Sequence, residues 1–338
     1  MPPEWGPHRS VWLAWPSDRG LWQDALDPAQ DEFTAFCEAI ADPDPVTGAA
    51  RGERLQVLVS TPEAGAAATR ALAGLGAIFH EIPYGDVWLR DTGPIFLNAG
   101  AGPERAAVRF GFNGWGGKYV LPHDAEVGRR IAEASGLRQL EAADFVLEGG
   151  SVEVDGAGLC LTTKQCLMNP NRNPGLSRSD VEARLRSALG VGLVLWLEEG
   201  LRNDHTDGHV DTLARFTAAG EALCMSAAVR DPNEAVLGRI ERDLRSMTAF
   251  DGRPLVVRIL PSPGAVPDAR GEPMPASYVN YYVGNRTVVV PTYGVLGDGR
   301  AVDLIAERFP GRRTVGLSAR AILAGGGAFH CISQQQPL

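Results

Sequence analysis

The sequence has few cysteines, no close cysteine pair and no long apolar run. Its five cysteines form no Cys-x-x-Cys, so neither a disulfide framework nor a zinc ribbon is predicted. No apolar run approaches the roughly 18 residues that a membrane-spanning helix needs. The first fifteen residues also lack the basic-then-apolar pattern of a signal peptide. Together these absences predict a cytoplasmic protein with reduced thiols.

A basic surface stripe is absent as well. The chain carries 32 Lys and Arg against 41 Asp and Glu, a formal net charge of −9. Because the cations are scattered, no nucleic-acid partner is expected, and the acidic field mildly favours a cationic ligand. The 338 residues, 44% of them hydrophobic, are typical of a soluble globular protein. This length is compatible with one large domain or with two.

Short apolar, β-branched runs alternate with helical patterns, which predicts an α/β fold. Strand–helix units recur about every fifty residues, as in a repeated module or an open α/β sheet. Pro- and Gly-rich stretches at 41–54 and 261–275 are predicted to be surface loops. Strands are predicted at 11–15, 55–60, 77–82, 107–112, 158–162, 193–196, 221–226, 256–260, 278–283 and 287–290, and helices at 28–40, 61–73, 124–134, 177–188, 232–248 and 300–308.

Four short segments contain glycine beside residues that suit chemistry. In the first, Trp88 and Asp91 flank Arg90 before a Gly-Pro turn. There a carboxylate would bind a cation under an aromatic face, although an Arg–Asp turn with a core tryptophan is the simpler alternative. In the second, Glu148 precedes two glycines. It would orient a histidine or bind a cation, and the alternative is a solvated loop glutamate.

The third segment, DHTDGHVD at 204–211, holds two histidines and three acids. On an extended backbone His209 and Asp211 project to one face, which suits an acid/base next to a carboxylate. A metal site formed by His205 and His209 would need a helix, which Gly208 disfavours. A plain polar loop is the third alternative.

The fourth segment places Cys331 shortly after three glycines, which allow a ligand to approach the backbone closely. A nearby cation or histidine would activate this thiol, whereas a buried structural cysteine is the alternative.

The four segments together supply a thiol, a histidine and three carboxylates. Carboxylates on opposite edges would hold a planar guanidinium with its carbon before the thiol. This set favours deimination over proteolysis, which needs an oxyanion hole instead. The structural interpretation applies to the other cysteines, Cys37, Cys160, Cys166 and Cys224.

Ordered motifs run along nearly the whole chain. They are PEWGPH at 3–8, VWLAWP at 11–16, WLRDTGP at 88–94, FNGWGGKY at 112–119, LEGGS at 147–151, CLMNPNRNP at 166–174, DGHVD at 207–211, ASYVNYY at 276–282, GGGAFHC at 325–331 and QQQP at 334–337. With these motifs the chain resembles the agmatine deiminase family. That family is related to the bacterial peptidylarginine deiminases within the guanidino-group-modifying (pentein) superfamily.

The resemblance implies a five-bladed, pseudo-symmetric α/β propeller of ββαβ units around a central site. It further implies a single deiminase domain over residues 1–338, made of five pseudo-repeats, with no metal or organic cofactor. Assembly into a homo-oligomer is compatible with the resemblance, and no membrane or nucleic-acid partner is expected. By motif match, Cys331 would be the nucleophile, His209 the acid/base, Asp91 and Asp211 the guanidinium clamp, and Glu148 the group that holds or orients His209. Trp88, Trp115, Asn280 and Gly326 would form the substrate-binding wall.

The implied reaction is hydrolysis of agmatine to N-carbamoylputrescine and ammonia through a covalent S-alkylthiouronium on the cysteine, a step in polyamine and arginine metabolism. Alternatives are deimination of arginine, peptidyl-arginine or another guanidino compound, a metal-dependent amidohydrolase, and a non-catalytic polyamine-binding protein. The chain departs from the family pattern at Leu89, Gly114 and His205, the last being a position where another acid is frequent. These departures leave undecided which group the substrate carries at the end away from its guanidinium. A carboxylate there would need a cation such as Arg105, Arg109 or Lys118.

Overall fold

Residues 1–98 and 104–338 are described by a computed structural model, and within these ranges the chain folds into five small mixed sheets. None of the described helices has both the length and the apolar character needed to cross a bilayer. The strands are β1 (His8–Ala14), β2 (Arg54–Val59), β3 (Ile78–Glu81), β4 (Ile95–Asn98), β5 (Arg105–Gly111), β6 (Arg138–Val146), β7 (Glu153–Val154), β8 (Leu159–Thr163), β9 (Leu193–Leu197), β10 (Ala214–Ala218), β11 (Glu221–Ser226), β12 (Val256–Pro261), β13 (Tyr282–Val283), β14 (Thr287–Thr292), β15 (Arg313–Ser318) and β16 (Gln334–Pro337).

Helices connect these strands and cover the sheets. The longer ones are α1 (Leu26–Ala41), α2 (Pro62–Ala71), α3 (Asp124–Ser135), α4 (Arg178–Leu189), α5 (Glu234–Ser246), α6 (Asp298–Ala306) and α7 (Arg320–Gly325). Single helical turns lie at Arg19–Trp22, Gln23–Ala25, Leu89–Thr92, Gly114–Gly117, Gly149–Ser151, Lys164–Leu167 and Val210–Thr212. Several helix starts follow from local chemistry. The Ser177 hydroxyl and the Asp180 carboxylate form a capping box on α4, and the Thr61 hydroxyl caps α2.

One unit of structure recurs in every sheet. An antiparallel pair comes first, as in β4–β5, and a helix then leads to a third strand parallel to the second, as in β5–α3–β6. The sheets β7–β8–β9, β10–β11–β12 and β13–β14–β15 repeat this order. The expected ββαβ unit is therefore confirmed. That the whole chain is a single domain stays a prediction.

The fifth unit joins the two ends of the chain. Strand β16 pairs antiparallel with β1, which is parallel to β2, and β3 extends this sheet by a fourth strand. Three glutamines form most of β16, and their side chains are buried. The Gln336 amide oxygen accepts hydrogen bonds from the Ser10 hydroxyl and the Trp12 indole N–H. Pairing with β1 and the hydrogen bonds of Gln336, rather than an apolar pattern, hold this strand.

Packing of α1 links the core to the C-terminal loop. Phe33, Phe36 and Ile40 recur at helical spacing on its buried face. Phe36 stacks on Phe329 with ring centroids 4.9 Å apart, and Phe33 meets Trp15 edge-on at 5.5 Å. Because Phe329 lies two residues before Cys331, this contact anchors the segment that carries the thiol.

The predicted strand at 278–283 is wrong over most of its length. Only Tyr282–Val283 is a strand, because the preceding residues form a buried turn around Ser277. The Ser277 hydroxyl donates to the carbonyl of Thr212 and accepts from the backbone N–H of Val279. Strands β4, β6, β7, β10, β15 and β16 were not among those predicted, since several are very short and others are polar on both faces.

Candidate active site

The connection that precedes the first strand of each unit carries the residues expected to act. Each of the five units therefore contributes such a connection to the candidate site. Asp91 precedes β4, Glu148 and Gly150 precede β7, His209 and Asp211 precede β10, Asn280 precedes β13, and Cys331 precedes β16.

A cavity of about 600 Å³ opens onto this centre. Cys331 and Asp91 lie in its lining together with the expected wall residues Trp88, Trp115 and Gly326. The Trp115 backbone adopts left-handed angles (φ 52°, ψ 51°), which are costly for a bulky residue. That conformation lets its indole N–H donate to the Asp91 carboxylate at 2.8 Å. The mouth of the cavity is lined by Tyr119, His205 and Arg270.

The Cys331 thiol is held from two sides. Its sulfur lies 3.5 Å from Oδ2 of Asp211, and the Asn280 side-chain amide donates to it at 3.1 Å. The carbonyl oxygen of the same amide accepts from the backbone N–H of Cys331 at 3.4 Å. Asn280 was expected in the substrate wall, but its side chain contacts the sulfur and the backbone N–H of Cys331 instead.

Gly150 shows how closely the acidic groups and the histidine converge. A Cβ added there would lie 2.6 Å from Nδ1 of His209, 2.9 Å from Oδ1 of Asp91 and 3.1 Å from Oδ2 of Asp211. The Gly150 backbone N–H also donates to Asp91 at 2.9 Å. The three functional groups therefore surround one point, and only glycine leaves that point free.

His209 sits behind the cavity and is only 1% exposed. Among the described residues neither ring nitrogen has a hydrogen-bond partner, and Nδ1 lies 3.7 Å from Oδ1 of Asp91. The side chains of His209 and Asp211 both approach Gly150. The backbone there is a helical turn at Val210–Thr212 rather than an extended strand.

Glu148 was expected to hold or orient His209, but its direct hydrogen bonds are to another residue. Both of its carboxylate oxygens accept from Nε of Arg172, at 2.9 and 3.0 Å, in a fully buried ion pair. Arg172 continues to Asp207 and to the Thr206 carbonyl, and so ties Glu148 to the loop that precedes His209. Glu148 therefore supports the backbone of that loop and does not hydrogen-bond the described His209 ring.

The residues of the metal hypothesis do not share a helix. Residues 204–209 form turns, with positive φ at Asp207 and Gly208, so His205 and His209 do not share the helical face that this hypothesis requires. His205 stacks on Tyr119 at the cavity mouth instead. Glu148, Cys166 and His209 do offer ligand atoms within 4.8 Å of one another, but the Glu148 oxygens are already engaged by Arg172.

Comparison with known proteins identifies the family of this chain. Residues 1–337 match the family described as Porphyromonas-type peptidyl-arginine deiminase. The chain belongs to this deiminase family. Agmatine deiminases from Ectopseudomonas mendocina and Stutzerimonas stutzeri are 39% and 38% identical, each over 100% of this chain and 95% of that protein. The structure of the agmatine deiminase of Enterococcus faecalis superposes with a TM-score of 0.90 at 33% identity, covering 100% and 95% of the two chains. The expected family and the five-unit α/β propeller are confirmed.

The pKa values of the two carboxylates near Gly150, Asp91 and Asp211, shift in opposite directions. Burial raises the pKa of Asp91, and the neighbouring Asp211 raises it further. Burial also opposes ionisation of Asp211, but a hydrogen bond and a charge from His330 hold the pKa of Asp211 below its usual value. Burial, followed by the charges of Asp211 and Asp91, raises the pKa of the Cys331 thiol well above its usual value.

A buried ionic network beneath Asp211 was not foreseen from the sequence. His330 bridges Oδ2 of Asp211, at 2.7 Å, and Oε1 of Glu4, at 2.8 Å. Glu4 also binds Arg90 at 3.1 Å and Arg215, which in turn binds Glu153. Burial disfavours the charge of Glu4, yet Arg215, His330 and Arg90 keep its pKa well below the usual range.

A signal for part of this network was present in the motifs. Glu4 lies in PEWGPH and His330 directly precedes Cys331 in GGGAFHC, so both belong to segments that carried the family resemblance. Their pairing spans 326 positions along the chain. No local pattern indicates a contact of that separation, whereas ring closure through β1 and β16 produces it.

We expect Glu4→Gln to lower the free energy of unfolding by about 3–5 kcal/mol, because it leaves buried cations without their counter-charge. Arg90, Arg215 and His330 would each lose the carboxylate that they share. Urea denaturation followed by tryptophan fluorescence measures this change.

Glu199→Gln is the matched control, since Glu199 pairs with Arg239 at the surface, where both side chains are nearly half exposed. We expect that change to cost less than about 1 kcal/mol. Equal effects of the two substitutions would show that the Glu4 network contributes nothing special to stability.

Proposed function

We propose that this chain hydrolyses agmatine to N-carbamoylputrescine and ammonia, with Cys331 as the covalent nucleophile. One observation carries the proposal: His209, Asp91 and Asp211 surround a single point at Gly150, and the Cys331 sulfur lies against Asp211. Agmatine deiminases among the relatives, matched over nearly their whole length, support the same reaction.

The two carboxylates are the proposed clamp for the guanidinium. A guanidinium carries five N–H donors in a fixed planar fork, and carboxylates bind such a fork bidentately. Oδ1 of Asp211 is buried and has no hydrogen-bond partner among the described residues. An orphaned buried carboxylate oxygen is costly, so it has an acceptor to offer a bound substrate. Trp115 holds the Asp91 carboxylate in place from the other side.

Substrate charge would also prepare the nucleophile. In the free protein burial and the two carboxylates favour the neutral thiol. A guanidinium held between Asp91 and Asp211 would place a positive charge next to the sulfur and so favour the thiolate. Cys331 would thus ionise mainly when a cationic substrate is present, which protects the thiol at other times.

In the first half of the proposed reaction, the Cys331 proton passes to His209 and the sulfur attacks the guanidinium carbon. A C–S bond forms, and the bond from carbon to one terminal nitrogen breaks. His209 returns the proton to that nitrogen, which departs as ammonia. The S-alkylthiouronium that remains keeps the positive charge of the substrate between the two carboxylates.

In the second half, His209 takes a proton from water and the resulting hydroxide attacks the same carbon. The C–S bond breaks and the sulfur leaves as a thiolate, which accepts the surplus proton of the new ureido group. The proton left on His209 passes to solvent. Neither ring nitrogen of His209 has a hydrogen-bond partner within the described structure, so the imidazole is available to accept and release this proton.

Agmatine is favoured over arginine by the state of the nearby cations. An amino-acid carboxylate would need an available positive charge, but Arg109 already pairs with Glu141 and Lys118 with Asp207 at 2.7 Å. Arg270, which lines the cavity, pairs with Asp268. A polyamine-binding protein is disfavoured by the thiol beside an acid/base, since binding alone needs neither. The metal-dependent alternative is disfavoured by the positions of His205 and His209.

We expect the purified protein to release ammonia and N-carbamoylputrescine from agmatine and not from arginine or an arginyl peptide. Liquid chromatography with mass spectrometry quantifies the ureido product in parallel reactions, with and without a chelator. Product from arginine or the peptide alone would overturn the substrate and keep the chemistry. Loss of turnover with chelator would favour the amidohydrolase, and binding without turnover would favour the polyamine-binding protein.

We further propose that the chain is one domain of five units and acts in the cytoplasm. The first point is supported by pairing of β1 with β16, which joins the two ends of the chain in one sheet. The second is supported by the five cysteines, all of which are free thiols.

A further inference from the structure

A carboxylate in the cavity wall, outside the catalytic group, is fixed by two indoles. The Asp86 side chain accepts from Nε1 of Trp22 at 2.9 Å and from Nε1 of Trp88 at 2.8 Å. The two indoles stack at an interplanar angle of 23° with centroids 6.0 Å apart. All three side chains line the cavity. The result is a rigid wall that combines an aromatic surface with a negative charge.

This carboxylate has no counter-ion within residues 1–98 and 104–338. None of the ion pairs there involves Asp86, and the charged neighbours that influence it are acids, Asp18 among them. Burial raises the pKa of Asp86, as expected of a carboxylate that lacks a cation. Two indole donors and one backbone N–H leave Oδ2 with free acceptor capacity.

The Trp88 indole leads from the nucleophile to this carboxylate. A Cβ on Gly327 would lie 2.8 Å from Cζ3 of Trp88 and 2.9 Å from the Cys331 sulfur, so the benzene edge of the indole is next to the thiol. The N–H on the opposite side of the same indole reaches Asp86. A chain of methylenes lying on Trp88 with its guanidinium at Cys331 would therefore end near Asp86.

We propose that Asp86 binds the second positive charge of the substrate, a primary ammonium separated from the guanidinium by an aliphatic chain. This inference rests on the proposed function and deepens it: the site selects dicationic guanidino-amines through a carboxylate presented on an indole pair. The Trp22 and Trp88 faces cover the methylenes. The ammonium, a compact charge with three donors, binds the free acceptor capacity of Oδ2.

Other charged groups at the mouth do not replace this role. Arg270 lines the cavity, but its guanidinium pairs with Asp268 at 3.2 Å and is largely exposed. His205 is stacked on Tyr119 and hydrogen-bonds its hydroxyl at 3.2 Å. Asp86 is the group in this wall whose charge is both fixed in position and not offset.

The test compares agmatine with n-butylguanidine, which has the same four-carbon chain and a methyl group in place of the ammonium. For Asp86→Asn we expect kcat/KM with agmatine to fall about tenfold, mainly through KM, as for a partly buried charge pair. With n-butylguanidine we expect a change of less than about twofold, since that substrate has no charge for Asp86 to bind. The parent protein should prefer agmatine.

Asp18→Asn is the matched control. Asp18 caps the turn at Arg19–Trp22, a task that asparagine performs equally well, and it is an acidic neighbour of Asp86. We expect less than about a twofold change with either substrate, because the proposed effect needs direct contact rather than general negative charge.

Equal losses with both substrates in Asp86→Asn would overturn the inference, since the carboxylate would then only hold the indoles in place. No loss with either substrate would overturn it as well. Calorimetric binding of both compounds to Cys331→Ala, with and without Asp86→Asn, repeats the comparison without turnover. A parent protein that hydrolyses neither compound would refute the proposed function, while the binding difference would still decide the role of Asp86.

Discussion

Replacing Cys331 by alanine is expected to abolish ammonia release from agmatine, with a loss of at least about 10⁴-fold in kcat. The sulfur forms the covalent bond in both halves of the proposed reaction, and no other described thiol lines the cavity. Agmatine should still bind, because Asp91, Asp211 and Asp86 are unchanged. Acid quenching of the parent enzyme during turnover, followed by mass spectrometry, should trap the thiouronium on the peptide that contains Cys331.

Cys224→Ala is the control for loss of a buried thiol. Cys224 lies in β11, in the core, and does not line the cavity. We expect the activity of the Cys224→Ala enzyme to stay within about twofold of the parent, with a modest loss of stability. Retained turnover in Cys331→Ala, or an adduct on another cysteine, would disprove the assignment of the nucleophile.

Gly150→Ala is expected to reduce kcat/KM by about 10²-fold or more, because displacement of catalytic groups by as little as 1 Å has effects of this size. The new methyl would lie 2.6 Å from Nδ1 of His209 and 2.9 Å from Oδ1 of Asp91, so the imidazole or the carboxylate has to move. Steady-state kinetics with agmatine measure the loss, and thermal unfolding shows whether the variant is still folded.

Gly299→Ala provides the matched glycine control. Gly299 lies in α6, and a Cβ there would meet nothing within 4 Å. We expect unchanged kinetics and a slightly higher melting temperature, since alanine favours the helix. If Gly150→Ala kept full activity with a normal melting temperature, the convergence of His209, Asp91 and Asp211 at this point would have no catalytic importance.

The sequence proposed which residues form the site, but it did not indicate the groups that support them. Cys331, His209, Asp91 and Asp211 lie in short motifs next to glycines, where residue type and spacing already limit what a segment can do. The fold brings all four together. Periodicity also located most strands and helices within a few residues, because apolar alternation and helix caps are local properties.

Partners distant in sequence were not predictable in the same way. Glu148 was expected to act on His209, but its direct partner is Arg172, 24 residues further along the chain. Asn280 was expected in the wall and instead holds the thiol. Strand β16 was missed because a run of glutamines has no apolar pattern, and its order comes from bonds such as that from Gln334 to the Pro94 carbonyl. Such pairings depend on the closed ring and not on neighbouring residues.

Closure of the ring through β1 and β16 has a consequence for the folding kinetics. The entropy lost on joining two segments grows with the length of chain between them, and residues 12 and 334 pair across almost the entire molecule. An intermediate with four units formed would already hold Asp91, His209 and Asp211. The Cys331 thiol would have no fixed position until β16, which follows it, pairs with β1. Catalytic competence should therefore arise in one late, cooperative step, and partly folded chains would have native-like circular dichroism without hydrolysing substrate.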